Sequence, residues 1–279
     1  MTSVTLPRYG PSMTTAAPSS VDVLRAAHRP GDPLLLPNVW DAAAARAVVA
    51  AGFPAVATGS DAVAAALGYA DGEAAPAAQM LAAAARIARA VDVPLTVDAE
   101  RGYGLPPATL VARLRATGAV GLNLEDSDPR TGAMVPPERQ VALLAAVRAA
   151  AGDALVLNAR VDVALRTGGA PAAQVAEIVA RSRAYLAAGA DCVYPIWLAD
   201  PADIGRVVAA VGGPVNILCR PGTPDPAALA ALGVARVSFG PYLHRLALAA
   251  FAGALETVRG GAFPLFHAVK SDVFRTSGF

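Results

Sequence analysis

Lysine, histidine and cysteine are all scarce in this sequence, and each scarcity removes a class of chemistry. Lys270 is the one lysine among 279 residues and follows the last barrel-type element, so a Schiff base within a barrel has no amine to form on. The three histidines, His28, His244 and His267, fall away from the predicted strand ends. Neither a His-rich zinc site nor a Ser-His-Asp triad has a place to assemble. Two cysteines, Cys192 and Cys219, are too few for a thiolate metal site and unsuited to a disulfide scaffold. Cys219 reads as a small buried hydrophobe. Only 16% of residues are charged, the formal net charge is +1 and no basic run occurs, so nucleic acid and anionic membrane surfaces are not expected partners. No stretch combines membrane-spanning length with Leu, Ile and Phe density. Residues 1–20 are rich in Pro, Ser and Thr and lack the apolar run of a secretory signal, so they read as a disordered or loosely packed tail on a cytoplasmic protein. Carboxylate, arginine, tyrosine, hydroxyl and metal-bound water remain as the reactive inventory.

What is abundant is hydrophobic sequence, 55% of the chain, laid out as short β-rich runs alternating with longer alanine-rich stretches. The expected strands are Leu34–Val39, Ala55–Thr58, Leu95–Asp98, Val120–Leu124, Leu155–Ala159, Cys192–Ile196, Val215–Leu218 and Arg236–Phe239. The expected helices are Ala42–Ala51, Pro76–Ala90, Pro107–Thr117, Pro137–Ala151, Pro171–Ala188, Pro201–Val211 and Pro226–Leu232. Several open with Pro, whose missing N–H costs nothing in a first turn. Gly52, Gly118, Gly189 and Gly233 follow helical runs as C-caps, giving four copies of one helix-to-strand junction. Eight strands in strict alternation with helices predict an α/β fold, a (β/α)8 TIM-type barrel over residues 21–254. A doubly wound open sheet is the alternative, weakened by the lack of a glycine-rich fingerprint after an early strand. Residues 255–279 carry Phe263, Phe266, Phe274 and Phe279 without periodicity and read as a tail packing on the barrel or a neighbouring subunit.

Three strands end in polar residues spaced two apart: Asp98 with Glu100, Asn123 with Glu125, and Asn158 with Arg160. Alternate residues of a strand share a face, so these pairs are expected to converge at neighbouring strand ends, where barrel active sites lie. Three carboxylates beside one guanidinium are costly to bury unless a cation neutralises them. Oxygen-only ligands with retained water suit Mg²⁺, or Mn²⁺, rather than zinc. A structural ion-pair network with Arg101, Arg130 and Arg160 is the competing reading. Other strand ends offer Asn38, Asp41, Thr58, Gly59, Ser60, Asp61, Asp162, Tyr194, Trp197, Asn216, Cys219, Arg220 and Ser238. Asp41 reads as a helix N-cap. Arg160 supplies a planar fork for an anionic group, and Gly59 with Ser60 offers backbone N–H groups to another.

With these residues in hand, the chain resembles the isocitrate lyase/phosphoenolpyruvate mutase superfamily from about Leu34 to Leu248. The resemblance is carried by Leu-Pro-Asn38-Val-Trp-Asp41-Ala-Ala-Ala-Ala-Arg, Ala-Val-Ala-Thr58-Gly59-Ser60, Leu-Gly-Tyr-Ala-Asp71-Gly, Val-Asp98-Ala-Glu100-Arg-Gly-Tyr103-Gly, Gly-Leu-Asn123-Leu-Glu125-Asp126 and Asn-Ala-Arg160-Val-Asp162. It implies a Mg²⁺-dependent barrel, a homodimer or homotetramer whose last helix is exchanged between subunits. It also implies that Asp98 is a metal ligand, held with Glu100 and Glu125 directly or through water. Gly59, Ser60 and Asp61 would cradle a substrate carboxylate, Asp71 would stand near the metal, and Arg160 would clamp an anionic group. Thr58, Asn123 and Asn216 complete the expected substrate surroundings.

Two departures bear on the reaction. Lyases of the superfamily carry a Lys-Lys-Cys-Gly-His loop where this chain has Arg101-Gly-Tyr103-Gly-Leu-Pro-Pro, and mutases place Lys and Asn in a gating loop that here contains Asp126, Arg130, Thr131 and Gly132. Ile196 stands where relatives often place His or Glu. The expected function is a Mg²⁺-dependent carbon–carbon lyase or decarboxylase for a small α-keto or 2-hydroxy di- or tricarboxylate, acting through a metal-stabilised enolate. Decarboxylation of an oxaloacetate-like acid is its simplest version, with Tyr103 or metal-bound water reprotonating the enolate. The alternatives are a C–P bond enzyme and a non-catalytic keto-acid-binding protein. The segment 126–136 is expected to close over the metal as a lid.

Overall fold

The structure, a computed structural model, describes residues 19–166 and 171–261. Its strands are β1 (Leu34–Leu36), β2 (Asn38–Val39), β3 (Val56–Thr58), β4 (Leu95–Asp98), β5 (Gly121–Leu124), β6 (Val156–Val161), β7 (Cys192–Pro195), β8 (Asn216–Leu218) and β9 (Arg236–Ser238). All their pairings are parallel, in the orders β2-β3-β4-β5-β6-β7 and β1-β9-β8. A bridge between Val193 and Val215 joins β7 to the start of β8. β1 and β2 are one strand interrupted at Pro37, which has no N–H for the ladder but whose carbonyl accepts from Ala57 N at 3.1 Å. The ring therefore closes as the eight-stranded (β/α)8 barrel.

The helices are α1 (Ser20–Ala26), α2 (Ala42–Ala50), α3 (Ser60–Ala66), α4 (Ala77–Ala88), α5 (Pro107–Ala116), α6 (Pro137–Ala151), α7 (Val163–Arg166), α8 (Pro171–Ala187), α9 (Pro201–Val211), α10 (Pro226–Ala231) and α11 (Tyr242–Arg259). Gly52, Gly118, Gly189 and Gly233 adopt φ of 88°, 90°, 100° and 83°, the left-handed conformation the four repeated junctions demand. Asp41 caps α2, accepting from Ala44 N at 2.7 Å.

Strand residues alternate between two environments. Leu95, Val97, Leu122, Leu124, Leu157, Ala159, Val161, Val193, Ile217 and Val237 join helix residues such as Ile87, Leu114, Leu144, Tyr185 and Val207 in the main core. The intervening residues face the lumen. Leu24 of α1 packs with Leu34, Leu36, Ala55, Ala57 and Val156, closing the N-terminal mouth.

Two sequence boundaries shift. α1 begins at Ser20, and α11 runs through residue 255 to Arg259, because an amphipathic pattern continues across the point where a tail was expected. α1, α3, α7 and α11 were not among the expected helices. Lys270 and the four phenylalanines from Phe263 to Phe279 lie outside the described residues. Among the described residues, no helix is long and apolar enough to cross a membrane.

Candidate active site

The C-terminal ends of the strands open into a cavity of about 200 Å³. One side is polar: Asp71, Asp98, Asn123 and Arg160, with Gly59, Ser60 and Asp61 at the start of α3. The other is largely apolar, formed by Leu165, Ile196, Trp197, Leu218, Pro241 and Tyr242. Tyr194 and Ser238 lie between them.

Asp98 reaches the cavity because it ends β4 on the lumen face. Its N–H donates to Thr58 Oγ1 at 2.9 Å, and its Oδ2 accepts from Ser60 N at 3.2 Å. Ser60 N is thus committed to Asp98, and Asp61 pairs with Arg245 at 2.8 Å. Burial raises the Asp71 carboxyl above its ordinary value, and the nearby charge of Asp98 adds to the shift.

Glu100 departs from the expected pairing with Asp98. Its φ of 49° takes it off the strand, so the two-residue alternation no longer applies. Its carboxylate instead accepts from Glu73 N, and it does not line the cavity. Burial, then Asp98, pushes the Glu100 carboxyl up to about 8. Tyr103 also has a positive φ, 57°, and its hydroxyl lies 3.5 Å from the Asp98 carbonyl oxygen, outside the cavity lining. Glu73, which the sequence did not single out, sets this turn: its Oε1 accepts from Arg101 N at 3.1 Å and Tyr103 N at 2.6 Å. No local signal could have found it, since the contact spans about thirty residues.

Arg160 does not present an open fork. Its Nε and NH2 donate to Asp162 at 2.6 and 3.2 Å, and its NH1 meets Glu125 Oε2 at 2.6 Å. Glu125 is thus ion-paired with Arg160 and is not among the residues lining the cavity. Burial pushes Glu125 upward, and Arg160 opposes that. The paired acids hold Arg160 well above its ordinary range despite its burial.

Among the described residues, no three Asp, Glu, His or Cys side chains are arranged to hold a metal ion by themselves. Of the trio Asp98, Glu100 and Glu125, only Asp98 lines the cavity; Glu100 has left the strand and Glu125 is paired with Arg160. The donor chemistry still fits a hard cation. Asp98 and Asp71 share the cavity, and the mutual repulsion of the surrounding acids is what a divalent ion would relieve.

Asn123 lines the cavity, its Oδ1 accepting from Asn158 Nδ2 at 2.9 Å and Arg236 at 3.3 Å. Asn216 is fully buried, donates to Ser238 Oγ at 3.2 Å and does not line the cavity. Thr58 is likewise buried outside the lining and acts through Asp98.

The expected gating loop stands apart. Asp126 is a buried anchor, accepting from Asp162 N at 2.8 Å, Tyr185 Oη at 2.7 Å and Arg181 at 3.2 Å. Beyond it, Gly132 N donates to Asp128 O and Asp128 N to Ala133 O, closing a compact loop. Thr131 N donates to Asp128 Oδ1, and exposed Arg130 meets Asp128 at 3.7 Å; neither residue lines the cavity. Tyr194, Trp197 and Ser238 were visible at strand ends without a role, whereas Tyr242 and Arg245 enter from α11, which the alternation did not reveal. Trp197 holds a φ of 69°, with Arg220 stacked 4.8 Å over its ring.

A family model described as phosphoenolpyruvate phosphomutase matches residues 24–259. An uncharacterised protein of Mycobacterium tuberculosis is 34% identical over 235 residues, 84% of this chain and 88% of its own length. An oxaloacetate decarboxylase of Ectopseudomonas mendocina is 32% identical over 188 residues, 63% of this chain and 62% of its own. Among solved structures, a candidate phosphonomutase of Burkholderia cenocepacia superposes with a TM-score of 0.82 at 44% identity, covering 85% of this chain and 99% of that one.

Proposed function

The chain belongs to the phosphoenolpyruvate phosphomutase/isocitrate lyase superfamily as a lyase, and from that premise we propose that it cleaves a carbon–carbon bond of a small oxaloacetate-like α-keto acid, with Mg²⁺ or Mn²⁺ as cofactor. The observation that carries this reading is a cavity joining Asp98, Asp71, Asn123 and Arg160, with no thiol, imidazole or amine among its lining residues. Decarboxylation of a β-keto acid asks for an electron sink and a shielded site rather than a strong protein base.

Asp98, with Asp71 and water, would hold the cation, which when bound supplies Lewis acidity to a keto oxygen. The remaining chemistry belongs to the chain. Asn123 has committed its Oδ1 to Asn158 and Arg236, so its Nδ2 is the group left to donate towards a substrate oxygen. Arg160 keeps a positive charge beside Asp98 while Asp162 and Glu125 fix its orientation. The wall of Leu165, Ile196, Trp197 and Tyr242 excludes water from the bond that breaks. The decarboxylase relative at 32% identity supports the same substrate class.

A homodimer or homotetramer is part of this proposal. α11 leaves Leu246, Phe251 and Leu255 more than half exposed, an apolar face suited to a second copy.

The C–P bond reading is favoured by the candidate phosphonomutase at 44% identity and by the phosphomutase description of the matching family model. A panel of keto acids and phosphonates, assayed with Mg²⁺ and then with EDTA, tests both. Pyruvate with CO₂ or a carboxylate fragment supports the lyase, whereas phosphate release replaces it with C–P cleavage.

A further inference from the structure

The cavity changes character from one side of the barrel to the other. Asp98, Asn123 and Arg160 on β4, β5 and β6, with Asp71 and the start of α3, make one half polar. The other half comes from Leu165 of α7, Ile196 and Trp197 just after β7, Leu218 at the end of β8, and Pro241 with Tyr242 at the start of α11. Four separate parts of the chain thus bring aliphatic and aromatic side chains to one wall, and none of them carries a charge.

Both arginines of the lining are already paired. Arg160 is held by Asp162 and Glu125, and Arg245 meets Asp61 at 2.8 Å. Arg220 is not among the lining residues. Its guanidinium stacks 4.8 Å from the Trp197 ring centroid, and its NH2 donates to the Trp197 carbonyl oxygen at 3.0 Å. These two contacts secure a residue whose φ of 69° is rare for a bulky side chain, so tertiary structure sets where the indole stands. Leu165 is placed through the polar half: its N–H donates at 2.9 Å to the carbonyl oxygen of Asp162, the residue that orients Arg160.

The two halves ask for different parts of one ligand. A keto acid held by its carboxylate and keto oxygen at the polar half directs its remaining carbons to the apolar wall. The scissile carboxylate leaves as CO₂, so what the wall recognises is the substituent retained on the adjacent carbon. A charged arm there would give up its hydration without gaining a partner, whereas each methylene gains by leaving water.

We propose that this wall is a side-chain subsite, that the substrate is an oxaloacetate-like acid bearing an alkyl group on the carbon next to the ketone, and that Trp197 selects for that group. The inference rests on the keto-acid lyase reading and deepens it, naming the substituent that this reading leaves open.

Calorimetric titration of the Mg²⁺-loaded full chain with pyruvate, 2-oxobutanoate, 2-oxopentanoate and 2-oxoglutarate tests it. These are the acids that remain after CO₂ loss, and 2-oxoglutarate differs from 2-oxopentanoate by a carboxylate in place of the terminal methyl. Affinity is expected to rise along the alkyl series, by roughly tenfold or more from pyruvate to 2-oxopentanoate, and to fall by a similar factor from 2-oxopentanoate to 2-oxoglutarate. Trp197→Ala is expected to reduce the ratio of 2-oxopentanoate to pyruvate affinity by roughly threefold or more. Ile196→Arg, which supplies the missing cation, is expected to rank 2-oxoglutarate above 2-oxopentanoate and provides the test if Trp197→Ala does not fold. Pyruvate or 2-oxoglutarate binding wild type as tightly as 2-oxopentanoate overturns the subsite, as does an unchanged ratio in Trp197→Ala or an unchanged ranking in Ile196→Arg. Turnover separates this from the lyase reading. Cleavage of oxaloacetate in preference to its 3-ethyl derivative overturns the subsite and leaves the lyase standing. The expected binding order without cleavage of any keto acid overturns the lyase and leaves the subsite, and a protein that neither binds nor cleaves any of these acids overturns both.

Discussion

Arg160 turns the double edge of its guanidinium onto Asp162, two residues further along the chain, at 2.6 and 3.2 Å. Both side chains are almost wholly buried, and the third nitrogen is held by Glu125. The arginine at the cavity wall is therefore a preoriented cation between two acids.

Arg160→Lys is accordingly not a conservative change, because an ammonium cannot span Asp162 with two parallel bonds and reach Glu125 as well. The expected loss in kcat/KM is roughly 10–100-fold, on the order of 1.4–3 kcal/mol. Steady-state kinetics on the best keto acid checks this, and an unchanged kcat/KM removes Arg160 from the site.

Asp98→Ala should abolish metal-dependent turnover with little change in melting temperature. The side chain sits at a cavity wall, where its loss opens no void in the core. Calorimetric titration with Mg²⁺ provides a readout independent of activity, and wild-type affinity would refute the assignment.

Asp126→Ala should behave as a core mutation rather than a gating one. Arg181 and Tyr185 would lose the buried carboxylate they share, and Asp162 N would lose its acceptor. A cost of about 3–5 kcal/mol is expected in urea unfolding, the scale for breaking a buried pair. A change below about 1 kcal/mol would show that the anchor is dispensable.

His28 predicts a pH dependence of stability. Arginine only donates, so the Arg236 contact makes His28 Nε2 an acceptor, and His28 Nδ1–H donates to Leu24 O at 2.7 Å. The ring is neutral, and burial followed by Arg236 lowers its pKa to about 4. Between the unfolded value near 6.5 and that folded value, the unfolded chain binds a proton that the native chain does not. Stability is complete above about pH 6.5 and is lost as pH falls towards 4, by roughly 2–3 kcal/mol. The slope of unfolding free energy against pH should flatten over that window in His28→Gln, and an identical slope in both proteins would rule His28 out.

The sequence by itself determined the alternation. Period-two strands, proline-opened helices and four glycine junctions permit one economical closure, the (β/α)8 barrel, and place Asp98, Asn123 and Arg160 on the lumen face. Local geometry suffices for this, because a residue's direction follows from its position in the strand.

Tertiary structure decided what local periodicity does not reach. Glu100 and Tyr103 left the cavity because Glu73, distant in sequence, caps their turn in left-handed conformations. Glu125 became a partner of Arg160 because the two strand ends bring them to 2.6 Å. Tyr194, a strand residue like its neighbours in the sequence, joins Asp98 and Asn123 in the cavity lining only through closure of the barrel. Ion pairs and buried charge are properties of atoms brought together in space, so the folded barrel fixes them and no segment of the chain carries them alone.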